Sequence, residues 1–227
     1  MPTRQKTFKI VILILIGQLL FAANLPEGFV YLDKIIPNMT LELRYYTNHN
    51  FLGVRVDGYE ENRSIISKKA AEALKNLQEE LNSYGLGIKV FDSYRPQKAV
   101  DHFVRWARVL DDTLTKSEFY PKVDKKNLFK KGYIAPKSSH TRGSTVDLTI
   151  INLKDGKELD MGSNFDYFGK LSWVHTPENI SMEQQSHRML LQTLMNKYGF
   201  NNYNEEWWHF TLRDEPFPET YFNFPVK

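Results

Sequence analysis

Two segments that lie far apart in this chain would have to meet in the folded protein for their polar side chains to act together. The first runs from Ser138 to Asp147 and contains His140, and the second runs from Glu205 to His209. Two imidazoles and one carboxylate suit a catalytic zinc ion, because three protein ligands leave a fourth tetrahedral position open for water. The pattern predicts a split metal site, and hence a fold that places the two segments side by side.

The predicted metal ligands are the side chains of His140, Asp147 and His209. Glu206 precedes His209 by three residues and need not touch the metal, so its carboxylate can take a proton from the bound water and pass it to a leaving amine. Glu206 is therefore the candidate general base. Most single histidines, however, are surface or hydrogen-bonded core residues, so the spacing alone does not establish a metal site.

The residues between the first two predicted ligands strengthen the metal hypothesis. Gly143 permits a tight turn soon after His140. The stretch 145–151 is rich in β-branched residues and predicts a strand. A strand would hold Asp147 on a rigid element, as a metal site requires.

The segment 138–147 resembles the S-x-H-x-x-G-x-A-x-D signature of the zinc D-Ala-D-Ala peptidases, whose fold is shared with the hedgehog signalling domain. The segment 206–209, Glu-Trp-Trp-His, resembles their E-x-W-H motif, and its first Trp resembles the D-alanyl-D-alanine dipeptidases of the vancomycin-resistance type. Thr145 stands where the signature has Ala, which alters the packing between two ligands but removes neither. Further similar segments are distributed along the chain after the first 23 residues, at 91–96, 160–166, 212–216 and 224–227.

This resemblance implies a zinc peptidase, with one ion per chain, that hydrolyses the D-Ala-D-Ala dipeptide to two D-Ala in peptidoglycan metabolism or in glycopeptide resistance. It also implies an α+β fold in which a small, mainly antiparallel sheet carries the site and helices flank it. Arg95 resembles the family's oxyanion-stabilising arginine, and the residues similar to those that hold the substrate's ammonium group are Tyr45, Ser138 and Asp166. Without the resemblance, Arg95 fits a surface ion pair and Asp166 fits a turn residue.

Two other functions remain compatible with the sequence. A D,D-carboxypeptidase acting on peptidoglycan stem peptides would use the same catalytic groups in a pocket open at the N-terminal side of the substrate. A non-catalytic zinc-bearing binding module, as in hedgehog proteins, would not need a base such as Glu206 beside an open coordination position. In the role that the resemblance implies, Asp166 favours a free dipeptide, because an acylated amine would leave its carboxylate unpaired.

The first 23 residues predict a targeting signal. Three basic residues, Arg4, Lys6 and Lys9, precede a largely apolar run over 10–20, which is shorter than the ~20 residues that a membrane span needs. We therefore expect an exported protein, periplasmic or otherwise extracytoplasmic, without stable membrane association after signal cleavage. The alternative is an uncleaved anchor, because Phe21 matches the A-x-A cleavage pattern poorly.

Removal of residues 1–23 would take away three basic and no acidic residues, so the formal net charge would fall from +3 to 0. A balanced charge argues against a nucleic-acid or anionic membrane partner, and a small dipeptide remains the expected partner. The absence of cysteine excludes disulfides, so residues 24–227 must be held by their core and the metal. This length, without internal repeats, predicts a single zinc peptidase domain, and the sequence does not indicate an oligomeric state.

Local patterns predict the elements around the site. Alternation of apolar and polar residues predicts a half-buried strand over 39–46 with Tyr45 facing inward. Caps predict two helices, one beginning after Ser67 and one beginning after Ser181 with Gln184 as its capping-box partner.

The polar stretch 111–136 predicts an irregular rim or lid, and 207–212 predicts the last strand. On a regular strand Glu206 and His209 would face opposite sides of the sheet. We therefore expect Glu206 just before the strand or at a bulge.

Overall fold

The computed structural model describes residues 25–227, so the predicted signal over 1–23 lies outside the described residues. The helices of this part are α1 (Leu32–Ile35), α2 (Lys68–Asn82), α3 (Gln97–Arg108), α4 (Lys116–Phe119) and α5 (Met182–Lys197). The strands are β1 (Phe29–Tyr31), β2 (Thr40–Leu41), β3 (Ile65–Ser67), β4 (Leu86–Asp92), β5 (Thr145–Asn152), β6 (Phe200–Tyr203) and β7 (Glu206–Leu212). Short 3₁₀-helices lie at Arg44–Tyr46, Lys125–Asn127, Ser139–Arg142 and Lys170–Ser172.

Across residues 25–227 the strands form one sheet of five, in the order β2-β4-β5-β7-β6, and a separate pair of β1 with β3. β2 runs parallel to β4, and the other neighbours in the large sheet are antiparallel. The predicted α+β fold with a mainly antiparallel sheet is therefore confirmed. No helix in the described part of the chain combines the length and apolar character that a membrane crossing requires.

The register of the three central strands brings site residues together. Asp147 of β5 lies opposite Asp92 of β4 on one side and opposite His209 of β7 on the other. Every residue of β5 from Thr145 to Ile151 is buried, as expected for a central strand covered on both faces. The site is therefore built on the most enclosed strand of the sheet.

Thr145 is accommodated by a partner on the next strand. Its Oγ1 lies 2.9 Å from Oγ1 of Thr211, the residue opposite it on β7. Cross-strand threonine pairs of this kind stabilise antiparallel sheets. The hydroxyl that distinguishes this chain from the signature is thus satisfied inside the sheet, and the ligands on either side keep their positions.

The two predicted helix caps are confirmed. The Ser67 hydroxyl accepts a hydrogen bond from the backbone N–H of Ala70 at the start of α2. At the start of α5, the side chains of Ser181 and Gln184 each accept from the other's backbone N–H, at 3.1 and 2.8 Å. Both helices then pack against the sheet, α2 on β4 and α5 on β6.

The strand predicted over 39–46 is wrong beyond Leu41. β2 ends there, and the chain turns into the 3₁₀-helix at Arg44–Tyr46. Leu43 and Tyr45 are nevertheless buried, as the alternation predicted. The alternation reports which side chains face the core, and a short turn can bury the same side chains as an edge strand.

The stretch 111–136 is irregular, as predicted, and contains only short helical turns. Its end, together with Lys137, reaches the cavity described below. One lysine of the stretch is not solvated: Lys125 is buried with its ammonium group 3.8 Å from the centre of the Trp106 ring. This cation–π contact attaches the stretch 111–136 to α3, which contains Trp106.

Candidate active site

Three side chains from three positions of the fold converge on one point. His140 comes from the 3₁₀-helix that precedes β5, Asp147 from β5 and His209 from β7. Nε2 of His140 and Nδ1 of His209 each lie 3.2 Å from Oδ1 of Asp147, and the two nitrogens lie 3.2 Å from each other. The three predicted ligand atoms therefore form a nearly equilateral triangle.

This triangle fits a tetrahedral metal ion. Ligands about 2.0–2.1 Å from zinc at tetrahedral angles lie about 3.3 Å from one another. Oδ1 of Asp147 is buried and has no hydrogen-bond partner among residues 25–227, although two imidazole nitrogens lie near it. A buried carboxylate oxygen needs a partner, and a cation at the centre of the triangle would supply one. The donor set can hold a metal ion, and its nitrogen and carboxylate atoms suit zinc.

The outer contacts of the imidazoles fix the tautomer of His140 and the orientation of the His209 ring. Nδ1 of His140 lies 2.7 Å from the backbone carbonyl of Ser93, which can only accept, so Nδ1 carries the proton and Nε2 offers its lone pair. Nε2 of His209 lies 3.1 Å from the hydroxyl of Ser139, which leaves Nδ1 for the metal. Burial lowers the pKa of His140 and favours its neutral, ligating form.

Glu206 lies beside the triangle without belonging to it. It is the first residue of β7, where the register with β6 shifts between Asn202 and Tyr203. One oxygen of its carboxylate lies 3.4 Å from Nδ1 of His209. Burial raises the pKa of Glu206 to about 7, a value suited to proton transfer near neutral pH. The expected irregularity is present, and it places Glu206 and His209 on the same side.

Arg95 is held by carboxylates at the corner between β4 and α3. Its Nε and Nη2 each lie 2.9 Å from Oδ2 of Asp92, and Nη2 lies 3.5 Å from Oδ2 of Asp147. Asp92 also accepts a hydrogen bond from the Tyr59 hydroxyl at 2.6 Å. The guanidinium is thus fixed within the site and is not an exposed ion pair. Of its two carboxylate partners, Asp147 was a predicted ligand, whereas Asp92 is marked only by its place at the end of a buried strand.

Asp166 is a buried carboxylate without a cationic partner among the described residues. The Tyr45 hydroxyl lies 3.1 and 2.9 Å from its two oxygens and donates to the carboxylate. Burial, assisted by the negative charge of Asp147, holds the pKa of Asp166 well above its usual range. Its φ of 60° is unusual for a residue other than glycine, and such strain is often found where function requires a fixed side chain.

A cavity of about 310 Å³ connects these groups. Asp147, His209 and Glu206 line it together with Arg95, and so do the three residues expected at the substrate amine: Tyr45, Ser138 and Asp166. His140 lies behind the cavity wall and is buried. The volume is at the lower end of the range for small-molecule sites, as a dipeptide requires.

The sequence profile of the D-Ala-D-Ala dipeptidase family matches residues 26–227. The chain belongs to this peptidase family. It is 44% identical over 201 residues to a D-alanyl-D-alanine dipeptidase of Enterococcus faecalis, covering 88% of this chain and 99% of the relative. Corresponding enzymes of Enterococcus faecium and Streptomyces coelicolor are 42% and 38% identical over 200 and 198 residues, covering 88% and 87% of this chain and 98% of each relative. The resemblance seen in the motifs is confirmed. As a member of the D-Ala-D-Ala dipeptidase family, the protein is a metallopeptidase.

Arg188 is a buried cation of this dipeptidase-family protein for which no sequence pattern predicts a role. Arg188 of α5 donates hydrogen bonds to three backbone carbonyls, those of Met161, Leu171 and Trp173, at 2.6, 2.8 and 2.7 Å. Burial lowers its pKa to about 10. The three carbonyls flank Asp166 on both sides in the chain, so Arg188 fastens both ends of the segment that carries this carboxylate.

Proposed function

We propose that the protein hydrolyses the D-Ala-D-Ala dipeptide to two D-Ala in a zinc-dependent reaction. One observation carries the proposal: the open side of the ligand triangle, the carboxyl of Glu206 and the unpaired carboxylate of Asp166 line the same small cavity. The first two supply peptidase chemistry, and the third supplies a place for a free amine. Family membership and the names of the relatives support the same substrate.

The chain's own groups divide the chemical work. A zinc ion held by His140, Asp147 and His209 would acidify a water molecule and polarise the scissile carbonyl. Glu206, with its pKa raised by burial, accepts the proton of the attacking water and returns it to the leaving amine. Arg95, fixed by Asp92 and by Asp147, donates to the oxygen that becomes negative in the tetrahedral transition state.

The amine end of the cavity selects the length of the substrate. A free ammonium group would neutralise Asp166 and could also reach the hydroxyls of Tyr45 and Ser138, which line the same space. An acylated amine carries no charge and would leave a buried carboxylate unpaired, which costs several kcal/mol. This difference favours a dipeptidase over a D,D-carboxypeptidase acting on longer stem peptides.

We further propose that the protein is exported and recycles dipeptide released from the cell wall. This proposal rests on the sequence of residues 1–23, whose basic start and apolar run are typical of a secretory signal. Export favours recycling over glycopeptide resistance, because the precursor dipeptide is made inside the cell. Cell fractionation tests the proposal: activity in the extracytoplasmic fraction supports it, and activity confined to the cytoplasm contradicts it.

The proposed reaction is tested by amine release from D-Ala-D-Ala and from N-acetyl-D-Ala-D-Ala with purified, zinc-loaded protein. We expect cleavage of the free dipeptide alone, loss of activity after chelation, and recovery when zinc is restored. Preferred cleavage of the acetylated substrate would select the carboxypeptidase function. Stoichiometric zinc binding without cleavage of either substrate would select a binding module.

A further inference from the structure

The cavity is lined by both carboxylates and cations, and the cations differ in whether a carboxylate lies next to them. Its carboxylates belong to Asp147, Asp166 and Glu206, and its permanent cations are Arg95 and Lys137. Arg95 forms ion pairs with two carboxylates, and its side chain is 12% exposed. Lys137 forms no ion pair with an acidic group among residues 25–227, so of these two cations it is the one whose charge no carboxylate balances.

The side chain of Lys137 contacts an aromatic ring, which does not neutralise its charge. Its ammonium group lies 4.7 Å from the centre of the Tyr221 ring, a cation–π contact that leaves the charge uncompensated. Tyr221 is itself fixed, because the next residue, Phe222, donates its backbone N–H to the carbonyl of Thr141 at 3.0 Å. Arg142, the other cation near Tyr221, is engaged by Glu215. Lys137 is therefore an uncompensated charge on the exposed rim of the cavity.

Burial differs along the cavity. Asp166 is 5% exposed and Tyr45 is 2% exposed, whereas Lys137 lies on the exposed rim. A dipeptide is a zwitterion, with one charge at each end. If the amine enters toward Asp166, the carboxylate is left on the more exposed side, where a cation can meet it.

We propose that Lys137 binds the C-terminal carboxylate of the substrate and makes the enzyme selective for a free C-terminus. The inference rests on the proposed function and deepens it. Asp166 then recognises one terminus and Lys137 the other, so both charges of the zwitterion are matched and both kinds of chain extension are disfavoured. The ion pair forms on binding and persists in the transition state, so its loss raises KM more than it lowers kcat.

The test compares D-Ala-D-Ala with D-Ala-D-Ala amide, which lacks the terminal charge. Wild type is expected to prefer the free acid, and Lys137→Met is expected to lose about 10-fold in kcat/KM on the free acid, mostly through KM, with little change on the amide. Lys137→Arg should retain most of the preference. Raising the salt concentration should weaken the wild-type preference more than that of Lys137→Met.

Lys131→Met is the matched control, because Lys131 is an exposed lysine of the neighbouring stretch that does not line the cavity. It should behave as wild type. Retention of the wild-type preference by Lys137→Met overturns the carboxylate assignment, as does an equal loss on both substrates, which would indicate a structural role. If wild type cleaves neither substrate, the proposed function itself fails, an outcome distinct from an active enzyme that ignores Lys137.

Discussion

The two ends of the cavity are built from different kinds of structure. At the metal end, Asp147 and His209 lie opposite each other on neighbouring strands, and His140 comes from the 3₁₀-helix that precedes β5. The amine end rests on the segment 160–173, most of which has no regular structure and which carries Asp166 in a strained backbone conformation. Regular pairing fixes one end, and side-chain contacts from α5 fix the other.

Under the proposed function, this difference separates the chemical step from substrate selection. Ligands on paired strands keep their spacing because the backbone hydrogen bonds of the sheet hold them. A carboxylate on an irregular segment depends on every contact that fastens the segment, above all on Arg188. Changes at the metal end should therefore act on turnover, and changes at the amine end should act on binding and selectivity.

The largest effect is expected at Glu206. Glu206→Gln keeps the size of the side chain but removes the base, so kcat on D-Ala-D-Ala should fall by about 1000-fold. Zinc content measured by atomic absorption should remain one per chain, because Glu206 is not one of the three predicted ligands. Turnover that survives this change would remove the general base from the mechanism.

The pH profile gives a second measurement on the same residue. Because the base must be deprotonated, the pKa of about 7 predicts an acidic limb in the pH profile of kcat/KM. On this limb kcat/KM falls about tenfold for each pH unit below the pKa. A bound dication lowers that pKa, which places the limb at or below pH 7. The residual activity of Glu206→Gln should lack this limb.

A change of about 100-fold is expected from Asp166→Asn. Asparagine tolerates the same positive φ, so the backbone is preserved while the charge that matches the ammonium group is lost. We expect kcat/KM on the free dipeptide to fall and the preference over N-acetyl-D-Ala-D-Ala to disappear. An unchanged preference would show that the amine is recognised elsewhere.

The same substitution should stabilise the metal-free protein at neutral pH. The folded pKa of Asp166 is raised, so the folded state binds the proton more tightly and the destabilisation is absent below about pH 4 and grows as the pH rises above that value. Denaturant unfolding should therefore show a higher free energy of unfolding for Asp166→Asn at pH 7.5 and no gain at pH 4. If the difference in free energy of unfolding between Asp166→Asn and wild type were the same at both pH values, the burial of an unpaired charge would be contradicted.

A change of about 10-fold is expected from Arg188→Met. Three carbonyls lose their donors, the segment around Asp166 loosens, and KM for the free dipeptide should rise while zinc affinity is retained. Arg188→Lys, which keeps the charge but not the planar fork, should fall between wild type and Arg188→Met. Loss of zinc binding in parallel with activity would mean that Arg188 supports the whole fold and not one end of the cavity.

The smallest effect is expected in the sheet at Thr145. Thr145→Ala removes the hydrogen bond to Thr211 and should cost about 1 kcal/mol in the free energy of unfolding. Activity should stay within twofold of wild type, because both ligand strands keep their pairing. A double-mutant cycle with Thr211→Ala measures the coupling of the two hydroxyls, and a coupling near zero would show that the pair is not formed.

The sequence reveals the metal end more fully than the amine end. Caps at Ser67 and Ser181 and the strand around Asp147 follow from local chemistry, and the structure has them where they were expected. Arg188 and the contact of Tyr59 with Asp92 join residues that are far apart in sequence, so no local pattern marks them. Sequence periodicity indicates which side chains are buried, and the partners they meet depend on the three-dimensional packing.

The placement of Asp147 between two partner strands also bears on how the protein folds. A slip of one residue in β5 would turn its carboxylate to the opposite face of the sheet and away from His140 and His209. A sheet in the slipped register would therefore lack the Asp147 ligand and would not be stabilised by metal binding. Metal affinity would then add to the free-energy gap between the native register and its near neighbours, so that zinc present during refolding should raise the yield of correctly paired chains.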